Sequence, residues 1–203
     1  MSTDRLQAFS DGVIAILITI MVLELKVPEG ADWAALRPTV PVLLSYVLSF
    51  VYLGIYWTNH HHMLHATERV NGAILWANLH LLFWLSLVPF ATRWLGEHGR
   101  RAVPTAAYGI VLLFAGVAYY VLQRLIMADQ GTHSRLARAV GRDAKGKLSP
   151  VLYIAGIGAA AIAPWLADAV YVIVALMWLV PDRRIVAQLE RDGDLERGTP
   201  EPG

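Results

Sequence analysis

Six apolar stretches, at about residues 5–26, 41–66, 70–95, 103–126, 148–163 and 165–181, restrict this chain more than any other feature it has. At about 1.5 Å of rise per residue, each of the first four is long enough as a helix to cross about 30 Å of hydrocarbon. Between 148 and 181, Pro164-Trp165 and Asp168 interrupt the apolar run, which reads as a tight hairpin of two short arms that need tilt or local bilayer thinning to span. With 56% hydrophobic and 16% charged residues, the 203-residue chain lies outside ordinary soluble composition. The expected architecture is an all-α integral membrane protein with six transmembrane helices per subunit.

Charge asymmetry supports that count, because Lys and Arg collect in cytoplasmic loops close to span ends. With both termini cytoplasmic, the inner segments hold Arg5, Arg69, Arg124, Arg135, Arg138, Arg142, Lys145, Lys147, Arg183, Arg184, Arg191 and Arg197. The outer ones hold Lys26, Arg37, Arg93, Arg100 and Arg101. A multi-pass protein of the cytoplasmic membrane follows, as one six-span domain over residues 1–183 and a cytoplasmic tail over 184–203, disordered at its end. Residues 127–147 read as a short basic amphipathic helix on the inner membrane surface. The first apolar run is no cleavable signal, since it lacks a basic n-region and ends in Glu24-Leu25-Lys26. The chain has no cysteine, which excludes disulfides and thiolate sites. A net charge of +1 gives no case for nucleic acid, and lipid headgroups are the simpler partner of the basic loop.

Inside the first span, Phe9-Ser10-Asp11 places a carboxylate in an apolar run. An Asp at a bilayer centre costs about 2.5–3.5 kcal/mol, so such a residue turns to a bundle interior, a partner or a pore. At 100° per residue, Ile16, Ile20 and Leu23 form one stripe, with Phe9 and Gly12 extending it, Thr19 on its flank and Asp11 pointing away. If Asp11, Ser10 and Arg5 pack inward, the aliphatic stripe faces lipid or an axis shared with neighbouring subunits. Aliphatic rings can gate ions by dewetting, so the stripe suits a pore. No internal duplication is visible, and a symmetric channel must then be built from several chains.

Span 2 carries Trp57, Asn59, His60, His61, His62 and His65. His61 and His65 are one helical turn apart, as in a two-histidine metal or haem site, while the same histidines suit polar packing with Asp11 or a proton relay. A proton-coupled secondary transporter using Asp11 and the span 2 histidines is therefore the rival to a channel, although no inverted repeat is present. In span 3, Asn78 and His80 suit interhelical hydrogen bonds, and Pro89 marks a kink or exit turn. Trp33, Trp94, Tyr108 and Trp165 suit an interfacial aromatic belt. Thr105-Ala106-Ala107-Tyr108-Gly109 lacks the Val-Gly core of a potassium filter, and Gly156-Ile157-Gly158-Ala159-Ala160-Ala161 follows no strand, so it reads as a helix-packing surface. Nothing sets a nucleophile beside its base, and no enzyme, cofactor or metal site is expected.

Arg5-x-x-x-Phe9-Ser10-Asp11-Gly12-Val13-x-Ala15-Ile16-x-Ile18-Thr19-x-x-Val22-Leu23-Glu24 closely resembles the signature of the transmembrane protein 175 family of potassium channels. Trp57-x-x-His60-His61, and Asn78 through Ser86-Leu87-x-Pro89-Phe90-x-Thr92, resemble that family too. A single FSD motif resembles its prokaryotic form. The resemblance implies a homotetramer whose first spans line a central pore that conducts potassium ions. It implies Ile16 as the main hydrophobic constriction, Ile20 and Leu23 as further rings, and Thr19 as a hydroxyl contributing to potassium preference. Ala15 stands where the family often has Ser or Thr, which implies weak to moderate selectivity over sodium. Arg5, Phe9, Ser10 and Asp11, with Trp57, His60 or His61 and Asn78, match the family's structural network between helices.

Overall fold

The computed structural model describes residues 2–98, 101–131, 136 and 144–179. Among them every regular element is helical: α1 (Thr3–Leu23), a 3₁₀ helix at Trp33–Thr39, α2 (Val40–His65), α3 (Gly72–Ser86), α4 (Val88–His98), α5 (Ala102–Gln130), α6 (Ala144–Ala160) and α7 (Pro164–Leu179). The tail from 184 and most of the 127–147 segment lie outside the described residues.

Among the described residues, four helical stretches are long and apolar enough to cross a membrane: Thr3–Leu23, Trp33–His65, Gly72–His98 and Ala102–Gln130. The two helices of the 148–181 hairpin are short: α6 has 17 residues and α7 has 16, fewer than the about 20 of an ordinary spanning helix. Their separation falls at residues 161–163, and Pro164 opens α7, where a missing N–H costs no helical hydrogen bond. The third apolar run is also divided. Pro89 offers no N–H to the Leu85 carbonyl and its ring crowds that oxygen, so α3 ends at Ser86 and α4 begins at Val88. The Leu87 amide turns back to the Trp84 carbonyl at 3.2 Å and the Ala91 amide bonds the Leu87 carbonyl at 3.0 Å, which confines the break to one residue.

Helix α1 lies against α2, α3 and α4; α5 packs on α3, α4 and α6; α7 closes the bundle against α6 and α2. The N-terminus of α1 meets the C-terminus of α2, where Thr3 donates to the Thr67 carbonyl at 3.3 Å. At the same end Asn71, before α3, donates to Asp129 of α5 at 2.9 Å, and Trp178 of α7 donates to Ser149 of α6 at 2.8 Å. With α3 and α4 counted as one broken helix, the helices thus alternate in direction, with Arg5, Arg69, Arg124, Lys145 and Lys147 gathered toward this end.

Tyr171 fixes the short α7. Its ring passes between two glycines: a Cβ on Gly109 would fall 2.0 Å from the Tyr171 hydroxyl, and one on Gly156 would fall 2.7 Å from its ring. Its hydroxyl donates to the Thr105 carbonyl at 3.2 Å, and its own carbonyl accepts from Tyr52 at 2.6 Å. Tyr108 corrects the aromatic-belt reading. It is buried, sharing a 2.9 Å hydrogen bond with Ser49, which in turn accepts from Thr92 at 2.6 Å. Trp33 and Trp165 are exposed, as membrane-interface positions require.

Candidate ion pathway and its polar support

Helix α1 has two unlike faces. Gln7 lies four residues after Thr3, and Ser10 and Asp11 lie three and four after Gln7, so all share one side of its first half, which Ile14, Leu17 and Met21 continue into the buried core. On the opposite side Ile16 is 57% exposed, Ile20 40% and Leu23 81%. Beside this aliphatic column runs a second exposed column of small side chains, Ala8, Gly12, Ala15 and Thr19. Nothing lies within 4 Å of a Cβ placed on Gly12, and small residues at such spacing let two helices approach closely.

The polar face is held by hydrogen bonds that cross helices. Ser10 and Asn78 are fully buried and His60 is nearly so. Ser10 Oγ donates to the Leu6 carbonyl at 2.9 Å, which leaves it to accept from Asn78 Nδ2 at 3.0 Å. Asn78 must then present its carbonyl oxygen to His60 Nε2, 2.7 Å away, and this places a proton on Nε2. His60 Nδ1 has no partner among the described residues. Asp11 sits apart from this chain and accepts from the Trp57 indole at 3.0 Å. His61 pairs with Gln7 at 2.8 Å through Nδ1, and its ring stacks on His65 with centroids 6.3 Å apart.

Of the network residues named from sequence, the structure gathers Ser10, His60 and Asn78 into one cluster and Asp11 with Trp57 into another. Arg5 and Phe9 stand outside both, exposed on the same side of α1 as Ile16. Of the partners named for Asp11, the structure pairs it with Trp57, while His60 turns to Asn78 and His61 to Gln7. His61 and His65 gain no third metal-capable side chain among the described residues. Thr19 Oγ1 donates to the Ile16 carbonyl at 2.9 Å, so its hydroxyl oxygen keeps its lone pairs for the exposed side.

Two groups were missed in the sequence. Gln7 carries a signal in hindsight, since Thr3, Gln7 and Asp11 share a helix face. The second is an ion-pair cluster at the far end of α1: Arg93 of α4 pairs with Glu24 and, at 3.3 Å, with Glu97, which Lys26 also meets at 3.3 Å. Nothing in local spacing joins residues 24 and 26 to 93 and 97.

The family model described as "Endosomal/lysosomal potassium channel TMEM175" matches residues 5–89, a stretch that contains both faces of α1 and all their partners on α2 and α3. A potassium channel of Chryseobacterium sp. (strain P1-3) is 50% identical over 192 residues, which cover 95% of this chain and 100% of that protein. The chain belongs to the TMEM175 family. A potassium channel of Chamaesiphon minutus is 33% identical over 190 residues, covering 86% of this chain and 92% of its own. The fold agrees with that of a solved TMEM175 homologue, described as a lysosomal potassium-selective channel homologue from Chamaesiphon minutus, at a TM-score of 0.78 and 28% identity over 88% of this chain and 96% of that one. In TMEM175 terms, the two-faced α1 is the first element of the matched stretch.

Proposed function

We propose that this chain is one subunit of a potassium-permeable channel, in which the first helices of four copies surround a central pore. The observation that carries the reading is the division of α1, whose polar side is bonded to its own protomer while Ile16, Ile20 and Leu23 stay exposed. The names of the bacterial relatives support the choice of ion. Four copies would bring the small column of one α1 against its neighbour and turn the aliphatic column to the axis. Ile16 then forms the narrowest ring, Ile20 and Leu23 the next, and the Thr19 hydroxyl supplies oxygen contacts that favour potassium weakly to moderately. Ions pass passively where the rings are wide enough to hydrate, and a narrow ring dewets and closes.

The alternating helix directions fit six crossings over residues 1–183, with α6 and α7 as short, tilted spans, and the basic end then faces the cytoplasm with both termini. Arg5 and Phe9, exposed on one protomer, become interface residues between copies. A proton-coupled transporter through Asp11 and the span 2 histidines is disfavoured, because Asp11, His60 and His61 each engage a different partner and form no continuous relay.

Ile16→Asn tests the proposal in liposome flux. A polar ring holds water, and each 1.4 kcal/mol removed from a wetting barrier raises flux about tenfold, so potassium and sodium flux both rise. Unchanged flux for both ions would take Ile16 out of the pathway.

A further inference from the structure

On the side of the bundle away from α1, helices α2, α5, α6 and α7 leave an open recess with about 360 Å³ of atom-free space, walled by Tyr52, Ile55, Tyr56, Tyr119, Tyr153 and Trp178. Three of its polar side chains bond into the walls: Tyr52 donates to the Tyr171 carbonyl, Tyr119 to the Asn59 carbonyl at 3.3 Å, and the Trp178 indole to Ser149. The interior is mainly apolar. A second recess of about 290 Å³ adjoins it, sharing Gly116, Tyr119 and Trp178 and continuing past Tyr120, Gln123 and Ser149 toward the basic end of the bundle. The buried Gln123 side chain lines it. At the rim, Arg124 lies over the Tyr120 ring at 5.8 Å and Lys147 is exposed one residue beyond the lining Gly146. The nearest acid on α5, Asp129, is drawn off toward α3 by Asn71.

We propose that the two recesses form one binding site for an anionic phospholipid of the leaflet at this basic end. An acyl chain fills the tyrosine-walled recess, the glycerol esters meet the Gln123 amide, and the phosphate pairs with Arg124 and Lys147. Basic pockets between transmembrane helices recognise acidic headgroups in this way. The site asks only that the helices lie in a bilayer and does not depend on α1 lining a pore.

Lipid binding to the full-length protein in detergent, read by native mass spectrometry without any ion flux, tests it with phosphatidylglycerol and phosphatidylcholine of matched chains. Phosphatidylglycerol should bind the tighter. Arg124→Gln and Lys147→Gln, both on exposed side chains, should each weaken it about fivefold, as expected for one charge near a headgroup, and leave phosphatidylcholine unchanged. Gly116→Leu should abolish binding of both lipids, since a Cβ there already stands 3.7 Å from Tyr153 and Tyr56 and a longer side chain enters both recesses. Equal affinity for the two lipids in the unaltered protein would overturn the proposal, as would full phosphatidylglycerol affinity in the double charge variant or in Gly116→Leu. If Gly116→Leu does not fold, the two charge variants decide the matter alone.

Discussion

Asn78 is the residue on which the polar support of α1 turns, because its amide satisfies a donor and an acceptor on two other helices. Hydrogen bonds between transmembrane helices average only about 0.6 kcal/mol, but an orphaned buried polar group costs about 1–3 kcal/mol, and the second figure governs when one partner is removed. Asn78→Leu should therefore lower stability by about 1–3 kcal/mol, mainly for the buried His60 Nε2–H it orphans, since Ser10 keeps its bond to the Leu6 carbonyl; thermal unfolding in detergent reads it, and an unchanged midpoint would make the cluster dispensable. Thr19 acts differently. Its hydroxyl bonds within its own helix turn and props no neighbour, so Thr19→Val should leave assembly intact while lowering the potassium-to-sodium flux ratio. An unaltered ratio with normal assembly would remove Thr19 from the selectivity argument.

Helix α1 works as an element because its columns have different tasks. Ile14, Leu17 and Met21 bury it against its own protomer, and Ala8, Gly12, Ala15 and Thr19 leave a shallow strip open. Gly12→Leu should prevent close approach of a second α1 without disturbing the protomer, since the glycine meets nothing within one chain. Size-exclusion chromatography with light scattering would show smaller assemblies, whereas an assembly of normal mass would exclude α1–α1 contact at Gly12. The ends of α1 are held unequally: its N-terminal half is tied by buried hydrogen bonds, its far end by the exposed pairs of Glu24 and Lys26 with Arg93 and Glu97, which salt screens. Of these ties, periodicity reveals only the first, because a stripe of polar residues on one helix is visible in sequence and a pairing across some seventy residues is not.

As a whole, the molecule shows how helices too short to span comfortably are held in place. Tyr171 joins α7 to α2 and α5 through its hydrogen bonds and leaves no room for a Cβ at Gly109 or Gly156. Gly109→Ala should overpack this junction at a cost of about 1–3 kcal/mol, seen as a lower unfolding midpoint in detergent; an unaffected midpoint would mean that Tyr171 can move aside. Assembly is the larger question at this level, and the mass of the purified protein in detergent should equal four chains, as a single α1 cannot enclose a passage. Much of this was readable from the chain. Apolar runs longer than a bilayer is thick leave helices as their expected form, Pro89 and Pro164 lack the N–H that would carry a helix through, and the 3.6-residue period separates the two faces of α1. Side-chain partners across helices were not readable, because each depends on the rotation and depth of two elements at once. That geometry took Tyr108 from the expected membrane interface into the core, singled out Trp57 among the named partners of Asp11, and set Gln123 beside an apolar hollow that no local pattern announces.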